Sequence, residues 1–202
     1  VSGIVQLTDG TPVGGVTIRP FLTSTNSQIS VTTVVSAVDG TYSFQLAAGT
    51  YNYFLQAYGG QVPDQMGGWH DRSFITPLVV DGDKVLNLTL PFVQVSGRTI
   101  DQNGVAVSGV SISIDTTSLG GEGYFYPGSV VSDIGGNYSF RIPSYNAYAL
   151  TLAPPSGSGI GSSVVANVDF SSDITHDLVL DTGYLVSGIV QLTDGTPVGG
   201  VT

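Results

Sequence analysis

Apolar residues along this chain recur at every second position, in short runs broken by turn residues. Val110, Ile112 and Ile114 alternate with Ser111, Ser113 and Asp115. Tyr42, Phe44 and Leu46 alternate with Thr41, Ser43 and Gln45, and Tyr138, Phe140 and Ile142 repeat that arrangement. Leu86, Leu88 and Leu90 do the same around Asn87 and Thr89. A strand sends successive side chains to opposite faces, so these runs predict strands with one buried and one wet face. That is the pattern of an antiparallel sandwich. No segment sustains a 3.6-residue period, and Gly or Pro interrupts most long windows, so no helix is expected. Between the runs lie Thr8-Asp9-Gly10-Thr11-Pro12 and Asp101-Gln102-Asn103-Gly104, residues that tolerate positive φ. Asp39-Gly40 has the composition of a tight hairpin.

The strand pattern repeats. Residues 1–17 read VSGIVQLTDGTPVGGVT, and residues 186–202 are identical to them, an offset of 185 residues. A diverged copy, VSGRTIDQNGVAVSGVSI, begins at Val95 and matches residues 1–18 at 8 of 18 positions. Asp39-Gly-Thr-Tyr-Ser-Phe parallels Gly136-Asn-Tyr-Ser-Phe, and Lys84-Val-Leu-Asn-Leu-Thr-Leu parallels Thr175-His-Asp-Leu-Val-Leu. The period therefore holds two related modules, residues 1–94 and 95–185, with 186–202 as the first strand and turn of the next repeat. The expected fold is all-β: tandem Ig-like or prealbumin-like sandwiches of about seven strands each. Almost no linker separates the modules, which favours a stiff rod over loose beads.

Composition narrows the function. Only 10% of the 202 residues are charged, with 5 basic against 15 acidic side chains and a net charge of −10. So few cations argue against nucleic acid as a partner, since its binding rests on Lys and Arg contacts to phosphate. The absence of cysteine excludes disulfides and thiolate metal sites. No apolar run is long enough for a membrane-spanning helix, and no secretory leader pattern occurs within these residues.

The motifs VSGxVxxxxGxPVxGVxI, DGxYSFxLxxGTYxYxLxAYGG and LxVxGDxVLNLTL, read at Val1, Asp39 and Leu78, resemble the carboxypeptidase regulatory-like domain. This is a prealbumin-type sandwich of bacterial surface and secreted proteins, similar to collagen-adhesin B-type stalk repeats. The resemblance spans the first module, including Ala57-Tyr58-Gly59-Gly60, and the second apart from the stretch between Ala153 and Val164. It implies a spacer or adhesive unit. Stalk repeats of that kind often carry a Lys–Asn isopeptide cross-link with the lysine on the first strand. Here the sole lysine, Lys84, falls on the expected last strand of the first module, so such a cross-link is not expected.

Five groups of residues are candidates for chemistry or contact. His70 and His176 are the two histidines, and neither accompanies a nucleophile elbow, so no catalysis and no enzyme is expected. Asp169, Asp173, Asp177 and Asp181 cluster near the end of the second module, close to Asp194. They read either as weak calcium ligands or as a solvated strand face, since no D-x-D-x-D-G loop is present. Trp69, in the insert Gln61–Arg72, and Tyr124, Phe125 and Tyr126, in Gly121–Pro127, could stack on sugars or bury in a neighbouring module. Asn87-Leu-Thr and Asn137-Tyr-Ser match the N-glycosylation triplet. Finally, the repeated end would expose Val186, Ile189, Val190 and Leu192 without a sheet to pair with. Two explanations are open: an excerpt of a longer repeat protein, or a strand that completes another copy.

The expected function is a structural repeat of an extracellular fibre, stalk or surface layer at the cell surface. Its partners would be neighbouring repeats or identical subunits, with no cofactor beyond the calcium option. The alternative is an adhesive module binding glycan or a cell surface through the aromatic loops.

Overall fold

The computed structural model describes residues 1–22, 32–58, 60–70, 77–120, 123–184 and 186–200. Gly59, Asp71, Arg72, Gly121 and Glu122 of the motifs above lie outside them. Among the described residues every regular element is a strand. The first half holds β1 (Ser2–Leu7), β2 (Thr17–Leu22), β3 (Val34–Val35), β4 (Thr41–Ser43), β5 (Gly49–Ala57), β6 (Gly68–His70), β7 (Leu78–Val80) and β8 (Leu88–Leu90). The second holds β9 (Phe92–Asp101), β10 (Ser111–Ile114), β11 (Tyr124–Tyr126), β12 (Ser129–Val131), β13 (Asn137–Pro143), β14 (Tyr145–Ala153), β15 (Ser163–Phe170), β16 (Ile174–Thr175) and β17 (Leu178–Leu180). Between β8 and β9 stands Pro91, and β9 runs through position 94/95 as one strand.

Each half uses two sheets. In the first, β4-β1-β8 face a larger sheet ordered β11-β6-β5-β2-β3, with β7 also on β5. In the second, β13-β9-β16, with β17 on β9, face β12-β10-β14-β15. The opening strand of each half makes two kinds of ladder. Ser2–Ile4 pair antiparallel with β4, and Val5–Leu7 pair parallel with β8. Likewise β9 runs antiparallel to β13 and parallel to β16 and β17. A parallel pair needs a long crossover, and here the rest of the half-chain is that crossover.

Backbone proximity explains the VSG motif. A Cβ built on Gly3 would sit 1.9 Å from the Leu86 carbonyl oxygen, and one on Gly97 would sit 1.9 Å from the His176 carbonyl oxygen. The hydroxyls of Tyr42 and Tyr138, the tyrosines of the two Tyr-Ser-Phe motifs, donate to those same two carbonyls. Burial pushes both phenols well above their ordinary pKa. So three separated motifs meet at one point in each half, and a buried hydroxyl is satisfied there.

A second internal clamp was not read from the sequence. Ser36 and Ser132 are buried. Ser36 Oγ donates to Val13 O (2.8 Å) and accepts from Val16 N (3.0 Å). Ser132 Oγ does the same with Val107 O (3.2 Å) and Val110 N (3.0 Å). The signal was the shared Val-Val-Ser of residues 34–36 and 130–132. One connected hydrophobic cluster runs through both halves, from Val5 and Leu7 to Leu178 and Leu180.

Candidate functional site

The two aromatic loops meet each other. β6 pairs antiparallel with β11, in the register Gly68↔Tyr126, Trp69↔Phe125 and His70↔Tyr124. A strand of the second half thus extends the larger sheet of the first. The alternation of the two strands decides which rings are wet. Trp69 and Phe125 point inward and are 1% and 2% exposed. They are therefore not open contacts for a ligand, because the neighbouring half covers them. Trp69 packs edge-on to Phe92 at 5.8 Å, and Phe125 packs edge-on to Tyr148 at 6.3 Å. Tyr124 and Tyr126 point outward, 43% and 51% exposed. Between Tyr58 and Tyr126 stands the half-buried His70, with ring centroids 5.6 and 5.0 Å away. His70 also approaches the Gln56 amide, at 3.1 Å from its Nε2.

The seam continues beyond these strands. Met66 N donates to Arg141 O (2.9 Å), and Arg141 N donates to Asp64 O (2.8 Å). The Arg141 guanidinium lies 3.6 Å from the Asp9 carboxylate. Gly67 and Gly128 allow the closest approach. A Cβ on Gly67, whose φ is +76°, would meet Tyr126 O at 2.1 Å, and one on Gly128 would meet Gly67 N at 2.6 Å. Backbone hydrogen bonds, a mixed aromatic core and two glycines thus join the halves. The sequence showed both loops but not their pairing, because the pairing is long-range and the loops are not at equivalent positions.

The aspartates accept hydrogen bonds from separate partners. Asp173 Oδ1 accepts from Gln94 N (2.8 Å), Asp177 Oδ1 from Arg98 N (2.8 Å), and Asp181 Oδ1 from Gln102 Nε2 (2.7 Å). Asp173 and Asp177 thus meet backbone amides of β9, and Asp181 meets the side chain of Gln102 just past its end. Asp169 turns elsewhere, accepting from Ser171 N (2.9 Å); the Ser171 hydroxyl, and then that N–H, hold its carboxyl below the usual range. Among the described residues no group of three or more acidic, His or Cys side chains is placed to hold a metal ion. The four aspartates are therefore not brought together as a calcium site.

The remaining candidates separate. His176 is half-buried, 6.3 Å from the Phe170 ring, while His70 sits at the seam, so the two histidines belong to different places. Asn87 Oδ1 accepts from Ile4 N (3.2 Å), the same place that Asp177 takes in the second half. Asn137 Nδ2 donates to Asp133 at 3.0 Å. Lys84 precedes β8 rather than lying on it, and pairs with Asp81 at 2.5 Å.

Residues 186–200 stand apart from the sheets. Val186, Ile189, Val190 and Leu192 are 91%, 76%, 56% and 56% exposed. The segment nevertheless holds a turn of its own, with Leu192 N donating to Thr196 O (2.9 Å) and Val198 N to Val190 O (2.8 Å).

Comparisons with known proteins place the chain as follows. No protein-family model and no curated protein matches it. Among solved structures it is similar to GBS52, a minor pilin of Streptococcus agalactiae, at 12% identity and a TM-score of 0.47, over 94% of this chain and 99% of that one. It is similar to the shaft pilin SpaA of Lactobacillus rhamnosus GG at 9% identity and a TM-score of 0.44, over 92% and 97%. The 3-chlorocatechol 1,2-dioxygenase of Rhodococcus opacus 1CP is similar over 52% of this chain and 63% of its own length, at 11% identity and a TM-score of 0.38.

Proposed function

We propose that this chain is a non-enzymatic structural repeat of an extracellular fibre, stalk or surface layer, in which the two-module period is the rigid unit. The observation that carries this reading is the β6–β11 pairing, which continues one sheet from the first half into the second. Two modules joined through one residue, Pro91, would still pivot about that residue. Backbone bonds at a second place, from Asp64 and Met66 to Arg141, remove the pivot. Stiffness follows because bending must break a ladder and open an apolar core. The identical segments 1–17 and 186–202 supply the means to add length by a constant step. The acidic, cysteine-free surface suits a cell-surface setting, where self-repulsion keeps dense arrays apart.

A second reading, adhesion to glycan or a cell surface, draws on Tyr58, Tyr124 and Tyr126, which are 45%, 43% and 51% exposed beside His70. The burial of Trp69 and Phe125 leaves it the weaker one. The structural reading is tested by electron microscopy of a protein carrying several 185-residue periods. Straight rods that lengthen by a constant increment per period are expected. Compact globules, or chains that bend freely within each period, overturn it.

A further inference from the structure

Beside the joint between the halves lies a groove of about 520 Å³. That volume is within the roughly 300–1,000 Å³ of sites that hold small ligands. Pro91 of the joint, Leu119 ahead of β11, Ser144, Tyr145 and Asn146 at the β13–β14 corner, and Ser171 after β15 lie along it. The corner is held from two sides. Ser144 N donates to Pro91 O (2.6 Å), and Ser144 Oγ donates to Ser171 O (2.9 Å). The half-buried Tyr145 ring packs edge-on to Tyr148 at 5.4 Å. Tyr148 is fully buried and donates its hydroxyl to Pro143 O (2.7 Å). The aromatic wall is therefore braced in advance, which spares a ligand the cost of ordering it.

The lining selects a chemistry. Among the described residues no charged side chain borders the groove. An anion finds no cation there, and the net charge of −10 repels it. Leu119 and Pro91 are apolar, while the Ser144 and Tyr145 hydroxyls and the exposed Asn146 amide can each donate and accept. A wholly apolar ligand would strip water from these groups and leave them unpaired. A neutral sugar answers both halves of the lining: its C–H face covers an aromatic ring, and its hydroxyls donate and accept in turn. We propose that this groove binds a neutral oligosaccharide, with Tyr145 as the stacking wall and Asn146 as the hydrogen-bonding group. The proposal rests on the adhesive reading and moves its contact from Tyr58, Tyr124 and Tyr126 to the groove. It is compatible with a fibre, which would then present one such site per 185-residue period and gain avidity by repetition.

The test uses the 202-residue chain on an array of neutral glycans, built from glucose, galactose, mannose and N-acetylglucosamine, beside sialylated ones. Binding to neutral members is expected. Asn146 is exposed, so Asn146→Ala should leave the melting temperature unchanged. It should weaken binding about tenfold, the effect of losing one or two hydrogen bonds. Tyr145→Ala should weaken binding more than Tyr145→Phe, which keeps the ring. Neutral-glycan binding that Asn146→Ala leaves intact overturns the groove, as does equal loss in the two Tyr145 variants. If that binding is lost instead in Tyr124→Ala/Tyr126→Ala, adhesion stands and its contact is the outer tyrosines. Binding confined to sialylated glycans overturns the ligand class. Binding to no glycan at all removes the proposal and the adhesive reading together.

Discussion

Phe125→Ala tests whether the seam between the halves is a genuine packed interface. Phe125 is 2% exposed, lies opposite Trp69 in the β6–β11 register, and packs edge-on to Tyr148 at 6.3 Å. Truncating a ring so enclosed costs about 3–5 kcal/mol when the surroundings cannot collapse. Here they are held on both sides by backbone ladders. The loss should appear first as local opening, because the seam joins two halves that each retain their own sheets. Every 1.4 kcal/mol is tenfold in an equilibrium, so even about 3 kcal/mol speeds exchange of the seam amides by on the order of 100-fold. The amides to follow are those of Met66 and Arg141, which donate to Arg141 O and Asp64 O across the seam. Trp69 is the only tryptophan, so its emission reports the same event without labelling. A red shift and new access to a soluble quencher are expected, with the β-sheet circular dichroism retained. A variant that melts earlier while Met66 and Arg141 exchange as before and Trp69 emission does not shift would refute the packed seam. Phe125 would then stabilise the second half alone.

Two further outcomes follow from the same geometry. Gly97→Ala should lower the stability of the second half by about 1–3 kcal/mol, since overpacking against a backbone carbonyl has no flexible neighbour to yield. Gly188→Ala, in open space, should leave the urea midpoint unchanged, and equal midpoint shifts for the two would refute the steric account. Acid should destabilise the fold. Thr11 N lowers the Asp9 carboxyl, the Thr41 hydroxyl that of Asp39, Val105 N that of Asp101 and the Asn137 amide that of Asp133. Carboxyls depressed in the fold contribute stability that is complete above the unfolded value of about 3.9 and is lost as pH falls through the lower folded values. Melting temperature should therefore be level from neutral pH to about 5 and decline below about 4. Asp133→Ala should shrink the difference between the two ends, and a melting temperature that rises on acidification would contradict the sign.

The alternation at Tyr42–Leu46 and Tyr138–Ile142, and the duplication of VSGIVQLTDGTPVGGVT, made the all-β fold legible, because strand periodicity and turn glycines are local properties of the chain. The aspartates at 173, 177 and 181 were legible as a spacing but not as a role. Their partners, Gln94, Arg98 and Gln102, are 79 residues distant along the chain. The burial of Trp69 and Phe125 was beyond reach for the same reason. A ring between glycines and acids reads alike whether it stands in water or under a partner strand, and only the β6–β11 register decides. What the amino-acid order determined by itself was the repeating element and its turn chemistry. What the tertiary structure decided was where chains of side chains close on one another: the carbonyl that forbids a Cβ at Gly3 and Gly97, and the seam that turns two sandwiches into one unit. The cause is that hydrogen bonds and apolar contacts between distant segments depend on how sheets pack, which neighbouring residues alone do not specify.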